Sequence, residues 1–375
     1  MSKKETKAYS DFNLVRTSTA NLADHIKATI QAESCIAVFG RRGTGKTQIS
    51  KQVIDEIDAE EVYLNLSVLE RVDLGGYPKL MGVDSTESYV RYLLPIFYEK
   101  MVSFNRPVVL LLDEVDKCDP SLNAPLLELV QFRSINGRRL ENLKSVIMTG
   151  NLTAEGGQRP SLPLLDRAEK FLAETTVVDW LNWAGSKKGV IHPSITAFIH
   201  EKPAELFGDV DPGEVYADPS PRGWHNASKL LFIGEEKNWS DKIMQEKVQA
   251  CVGKASGIQY EVFFKHYRHV LPIVDQVTSA KPVKGWDKLQ PGEKMVATML
   301  MCNRVSREID EPTDKTKKAL GKLLDNVGDF LVKSVEPEMS LISLRSQIGM
   351  QRVIDANMLT HEKWDSILDR LVNNV

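Results

Sequence analysis

The 375-residue chain is predicted to fold as a parallel-sheet α/β domain followed by helical regions. Three observations predict this. From about residue 13 to 180, short apolar runs alternate with segments of helical spacing. The segment Gly40-Arg41-Arg42-Gly43-Thr44-Gly45-Lys46-Thr47 stands between one such run and one such segment. Beyond residue 180 the β-branched runs fade and helical periodicity takes over.

The first predicted strand is Cys35-Ile36-Ala37-Val38-Phe39, an apolar run short enough to be a buried strand. From Gln48 to Ile57 the apolar residues fall at 49, 53, 54 and 57, the spacing of an amphipathic helix. Further strands are predicted at 61–66, 108–112, 145–149 and 172–178. Trp180, Leu181, Trp183 and Ala184 share one helix face and read as core. Residues 208–223, rich in Pro, Gly and Asp, read as a loop, with a helix starting near Trp224. The segment 279–286 marks a boundary, and the stretch after it carries amphipathic helices including 295–308, 316–335 and 362–372. The expected units are therefore 1–178, 179–278 and 279–375.

Composition narrows the function. A formal net charge of −3 gives no electrostatic case for nucleic acid or an anionic membrane. Cys35, Cys118, Cys251 and Cys302 are scattered without a C-x-x-C pair and read as reduced thiols. His266 and His269 can share a helix face, but no cysteine or third histidine lies near them to complete a metal site. The opening segment MSKKETKAYSDFNLVR lacks the apolar core of a signal peptide. No apolar run approaches the roughly 20 residues of a membrane span. The expectation is a soluble, cytoplasmic protein.

The chemistry lies in two segments. Residues 40–47 fit the pattern G-x-x-x-x-G-K-[ST]. Its glycines let backbone N–H groups close around phosphate oxygens, Lys46 reaches the terminal phosphates, and the Thr47 hydroxyl can hold Mg²⁺. A strand before the loop and a helix after it point a helix N-terminus at the anion. Downstream, Val108-Val109-Leu110-Leu111-Leu112 runs into Asp113-Glu114. Asp113 is suited to hold Mg²⁺ through its water shell and Glu114 to polarise an attacking water. Asn151, at the end of the strand 145–149, is placed to orient the same water. An Asn-Lys-x-Asp segment, which reads guanine, is absent. The chain is therefore expected to bind and hydrolyse ATP with Mg²⁺.

At this point the chain resembles the AAA+ ATPases, and among them the MoxR-like group of the helix-two-insert clade. The resemblance is carried by GRRGTGKT, VVLLLDEVDKC, NAPLLELVQFRSINGRRL, VIMTGN, PLLDRAEKF and SPRGWHNASKLL, and covers about 15–265. It implies a P-loop AAA+ domain with a helical lid. Gly40, Arg41, Arg42, Gly43, Thr44, Gly45, Lys46, Thr47 and Gln48 then form the nucleotide loop (Walker A), and Asp113 and Glu114 form Walker B. It further implies that Asn151 is sensor 1, that Arg167 is an arginine finger acting on a neighbouring subunit, and that Arg222 is sensor 2. Ala168 replaces the family's usual aromatic, and Arg159 lies close enough to be the finger instead. The insert is expected within 70–98. A hairpin is expected at Ser134-Ile135-Asn136-Gly137-Arg138-Arg139, where Asn-Gly supplies the turn.

The resemblance implies a ring, a hexamer in such proteins, that remodels or activates a protein partner, typically one of von Willebrand A type. The alternative is a DNA-acting AAA+ ATPase, such as a helicase loader or restriction-type translocase. Arg133, Arg138 and Arg139 around the hairpin favour that alternative. A nucleotide switch without turnover is a third reading, opposed by intact Asp113, Glu114 and Arg167.

Overall fold

Apolar runs that are buried on both faces make the centre of one parallel sheet. The structure, a computed structural model, describes residues 14–82, 88–152, 158, 160–184, 191–208, 219–309 and 314–347, of which 306–309, 314–319 and 345–347 by backbone alone. In chain order the strands are β1 (Val15–Ser18), β2 (Cys35–Gly40), β3 (Glu60–Asn65), β4 (Tyr77–Met81), β5 (Tyr89–Leu93), β6 (Val108–Asp113), β7 (Ser134–Ile135), β8 (Arg138–Arg139), β9 (Leu143–Gly150) and β10 (Glu169–Glu174). Six of them form the main sheet in the order β1-β10-β2-β9-β6-β3, every pair parallel. The other four make two antiparallel hairpins, β4-β5 and β7-β8.

The two faces of the sheet follow from the two-residue period of a strand. Cys35, Ala37 and Phe39 face one core with Val108, Leu110, Leu112, Val146 and Met148. Ile36 and Val38 face the other with Val109, Leu111 and Ile147. Helices Thr19–Gln31 and Lys46–Glu56 cover the second face through Leu22, Ile26, Val53 and Ile54. Phe97, Met101, Leu126 and Leu129, from helices Ile96–Ser103 and Asn123–Phe132, cover the first.

Two elements depart from expectation. The strand expected at 172–178 is β10, which starts at Glu169 and ends at Glu174. Its charged start is accommodated locally: Thr29 Oγ1 donates to Glu169 Oε2 at 3.0 Å, and Lys170 Nζ donates to the carbonyls of Leu165 and Ala168, each at 3.1 Å. Val177 and Val178 belong instead to the first turn of helix Val177–Ala184. There the Thr176 hydroxyl accepts from Asp179 N at 3.0 Å and the Asp179 carboxylate from Thr176 N at 3.2 Å, a reciprocal cap. β1 was not expected. It is an edge strand in which only Thr17 is buried.

Contacts divide the described residues into two compact units, one through Thr175 and one from Thr176 onward. The second is helical. Its core contains Trp180, Leu181, Phe198, Trp224, Tyr260, Phe263, Val274, Trp286, Leu300 and Leu331, so helices on both sides of residues 279–286 contribute to it. Trp286 Nε1 donates to Ser334 O at 3.0 Å, and Trp224 Nε1 to Glu205 O at 2.8 Å, which satisfies these two indoles. A buried polar chain links Ser194 to His192 Nδ1 (2.6 Å) and to the Tyr260 hydroxyl (2.5 Å). His266 and His269 each place Nδ1 against Glu293 Oε1, at 3.3 and 3.0 Å. The helix starting near Trp224 is Pro221–Glu236, and those expected at 295–308 and 316–335 are Pro291–Ile309 and Asp314–Ser334. The helix expected at 362–372 lies outside the described residues, as does most of the loop 208–223. No helix among the described residues is long and apolar enough to cross a membrane.

Candidate nucleotide site

β2 delivers the chain into the loop at Gly40, where backbone meets backbone. A Cβ on Gly40 would lie 2.6 Å from the carbonyl oxygen of Ala173 on the neighbouring β10. Gly43 and Gly45 have φ of 73° and 86°, a region that favours glycine, and Gly45 caps helix Lys46–Glu56. The Thr44 hydroxyl donates to Arg41 O at 2.8 Å and closes the loop on itself. Lys46 is buried. Its Nζ donates to the carbonyls of Gly40 and Arg41, each at 2.9 Å, and stands 3.4 Å from Asn151 Oδ1.

Strand register brings the second segment to the first. β6 lies between β3 and β9, with Asn65 opposite Asp113 and Met148 opposite Leu112. The Asp113 carboxylate therefore collects donors from three directions. Thr47 Oγ1 lies 3.2 and 3.1 Å from its two oxygens, the Tyr63 hydroxyl donates to Oδ2 at 3.1 Å, and the buried Thr149 hydroxyl donates to Oδ1. The Glu114 N–H adds a bond of 3.0 Å. Burial, and after it the charge of Asp113, pushes the Tyr63 phenol up to about 12.

Glu114 leaves the strand line. Its φ of 57° is left-handed, a conformation that costs a non-glycine residue about 1–2 kcal/mol. A hydrogen bond from Ser67 is the main influence that holds its carboxyl below the usual value; burial opposes it, and Lys117, 3.0 Å away, supports it. Asn151 follows β9, and its backbone N–H donates at 2.9 Å to Oδ1 of Asp116, a fully buried carboxylate.

Lys46, Thr47, Asp113 and Asn151 thus meet around one point, with Glu114 adjoining Asp113. Sequence reasoning missed Tyr63, Ser67, Asp116 and Thr149, which complete that constellation. Arg167 hydrogen-bonds Gln131 Oε1 at 2.7 Å and Pro163 O at 2.5 Å. Arg222 is exposed in the first turn of helix Pro221–Glu236, in the second unit. Arg159 lies outside the described residues.

The hairpin expected at 134–139 is present. Asn136 and Gly137 have φ of 48° and 74°, the paired left-handed conformations of a type I′ turn. Of its arginines, Arg133 is committed to structure. It ends helix Asn123–Phe132 in a left-handed conformation and donates to the carbonyls of Glu33 and Lys144. Arg138 and Arg139 are exposed. Within 70–98, helix Arg71–Gly75 leads into the β4-β5 hairpin, and Asn136 Nδ2 donates to Gly75 O. Tyr77, Leu80, Tyr89, Val90, Tyr92, Leu93 and Ile96 there are between 44% and 72% exposed, an apolar surface well above the scattered single exposures of an ordinary surface.

Residues 36–171 match the family described as "ATPase family associated with various cellular activities (AAA)". Among solved structures, the chain is similar to three of RuvB from Thermotoga maritima. A point mutant shares 11% identity over 88% of each chain, with a TM-score of 0.37. The structure described as the Holliday junction branch migration motor shares 11% identity over 83% of this chain and 88% of that one, with a TM-score of 0.33. A second point mutant shares 13% identity over 90% and 86%, with a TM-score of 0.32. Scores this low carry nothing by themselves; the sheet order, the loop and the family match carry the fold. The first unit is a parallel-sheet P-loop AAA+ domain, followed by a mostly helical region. Residues 36–171 thus carry the match to the AAA ATPase family, on a fold of the parallel-sheet P-loop AAA+ kind.

Proposed function

We propose that this chain is an ATP-hydrolysing AAA+ motor of MoxR-like type that assembles into a ring and remodels or activates a protein partner. The observation that carries the hydrolytic reading is the pair of contacts at the loop, Thr47 on the Asp113 carboxylate and Lys46 against Asn151 Oδ1, with Glu114 adjoining Asp113. The donors fit a magnesium-bound triphosphate: a hydroxyl and a carboxylate within 3.2 Å are hard oxygen ligands. Left-handed Gly43 and Gly45 open the loop's N–H groups at a helix N-terminus. Thr47 and Asp113 would hold the metal, which when bound supplies positive charge at the phosphate oxygens.

The chain's own groups do the rest. The loop from Gly40 to Gln48 and the Lys46 ammonium bind and orient the phosphates. Glu114, ionised at neutral pH like any carboxyl at or below its ordinary value, takes a proton from the attacking water. Asn151 orients that water. Arg167, from the next subunit of a ring, stabilises transition-state charge. Arg222 keeps the sensor 2 role that the resemblance implies.

The partner reading rests on the exposed apolar surface of the β4-β5 hairpin and Ile96. Tyr, Leu and Val in the open, with only Lys79 and Arg91 among the charged residues of the two strands, suit a protein surface better than a phosphate backbone. A partner of von Willebrand A type is the one the resemblance implies. The test uses Glu114→Gln as a trap. A protein partner retained in ATP but not in ADP, and lost when Leu80→Ser and Tyr92→Ser are added, supports the proposal. ATPase stimulated by DNA and losing that stimulation as salt rises, with no protein retained, replaces it by the DNA-acting alternative.

A further inference from the structure

Asp116 sits in the short turn Val115–Lys117 just after β6, with none of its surface exposed. A carboxylate so deeply buried is costly unless its oxygens are used. Both are directed at one residue. Oδ1 accepts the backbone N–H of Asn151 at 2.9 Å, and Oδ2 lies 3.5 Å from Asn151 Nδ2. On the other side of the same amide, Asn151 Oδ1 faces Lys46 Nζ at 3.4 Å. The carboxamide is therefore held at both ends, with its NH₂ toward a carboxylate and its oxygen toward an ammonium.

The approach is close enough to dictate the neighbouring residue. A Cβ on Gly150 would fall 3.1 Å from Asp116 Oδ1 and 2.9 Å from Phe39 Cε1. The turn is itself anchored, since Asp116 O accepts the N–H of Gln158 at 2.8 Å.

We propose that Asp116 is a positioning residue for ATP hydrolysis: it fixes the direction of the Asn151 amide, and so the face that Asn151 offers to the phosphate and the water. This rests on the ATPase reading of the site. A carboxylate can only accept, so it permits a single orientation of the amide facing it. An asparagine at 116 can still accept the N–H of residue 151, but its own NH₂ then faces Asn151. The Asn151 amide either meets donor with donor or turns its NH₂ toward Lys46.

The test compares Asp116→Asn, Asn151→Ala and the double variant. The expected result for Asp116→Asn is a kcat lowered at least about tenfold with KM for ATP within about twofold, the signature of a group acting in the transition state. The double variant should be no slower than Asn151→Ala alone, because both changes remove one function. Parental kcat in Asp116→Asn, or losses that add in the double variant, would overturn the inference while leaving Asn151 in place. A silent Asn151→Ala would remove the reading of the site and the inference together. If Asp116→Asn does not fold, the parent itself answers. With ¹⁵N-asparagine labelling, the Asn151 side-chain NH₂ should exchange at least about tenfold more slowly than surface asparagine amides. Exchange at the surface rate contradicts the proposal.

Discussion

The Thr47 hydroxyl and the Asp113 carboxylate, 66 residues apart in sequence, lie 3.1–3.2 Å apart at the mouth of the phosphate loop. One lies in the first turn of the helix after the loop and the other ends β6, which is separated from the loop strand β2 by β9. The pair is the geometric junction of the two motifs, and most of the expected behaviour follows from what surrounds it.

Tyr63 shares the Asp113 oxygen that faces Thr47. Tyr63→Phe removes one donor and leaves the ring. It is expected to cost about 1 kcal/mol of stability and to raise the Mg²⁺ concentration needed for half-maximal ATPase several-fold. A Mg²⁺ titration identical to the parent's would show that Tyr63 does not shape the metal site.

Glu114 carries a pH signature. Its folded-state pKa lies below the unfolded one, with the Ser67 hydrogen bond the largest cause and Lys117 adding to it. Its contribution to stability is thus full above the unfolded value and is lost as pH falls through the folded value. Ser67→Ala should raise the Glu114 pKa and move the acid limb of the kcat/KM profile to higher pH. An acid limb that stays where it was, with Ser67 removed, rules out that hydrogen bond as the cause.

Arg167 hydrogen-bonds Gln131 and Pro163 of its own chain; in the proposed ring it would act on ATP bound by a neighbouring copy. Arg167→Ala should bind ATP and lose turnover by about a thousandfold. Lys46→Ala should fail to bind ATP. Mixing the two inactive variants should restore part of the activity, because a mixed interface pairs an intact loop with an intact arginine. No recovery on mixing, in a preparation shown to exchange subunits, counts against a shared site.

Gly40→Ala should destabilise the first unit by about 1–3 kcal/mol, because the new methyl meets the backbone oxygen of Ala173 rather than a movable side chain. Thermal unfolding measures this directly. An unchanged midpoint would mean that β2 and β10 separate more easily at this point than the structure implies.

The centre of the sheet was legible because its strands are buried on both faces and so appear as apolar runs: β2, β6 and β9 lie where the runs lie, while β3, an edge strand with only Val62 buried, also lies where a strand was expected. β1 has one buried residue in four and offers no such run. β10 begins with Glu169 and Lys170, whose charges are satisfied by Thr29 and by two carbonyls that only the fold supplies. The valines after Thr176 look like strand in sequence, and the reciprocal cap between Thr176 and Asp179 turns them into helix.

In the candidate site, the placement of Lys46, Thr47, Asp113, Glu114 and Asn151 at the ends of neighbouring elements was legible from their spacing within motifs. Tyr63, Ser67, Thr149 and Asp116 are ordinary polar residues in sequence. They acquire a role only when strand register and a tight turn set them against Asp113, Glu114 and Asn151. Arg133 is the reverse case: its charge drew attention to the β7-β8 hairpin, yet its guanidinium is spent on two backbone carbonyls.

The most direct test is the turnover of Glu114→Gln measured beside its affinity for ATP. The substitution keeps the side chain's size and removes the proton acceptor. Binding should match the parent within about twofold, while kcat falls by at least about a hundredfold. Parental turnover with ATP bound as before would contradict the assignment of Glu114 as the base, and with it the account of how this site splits ATP.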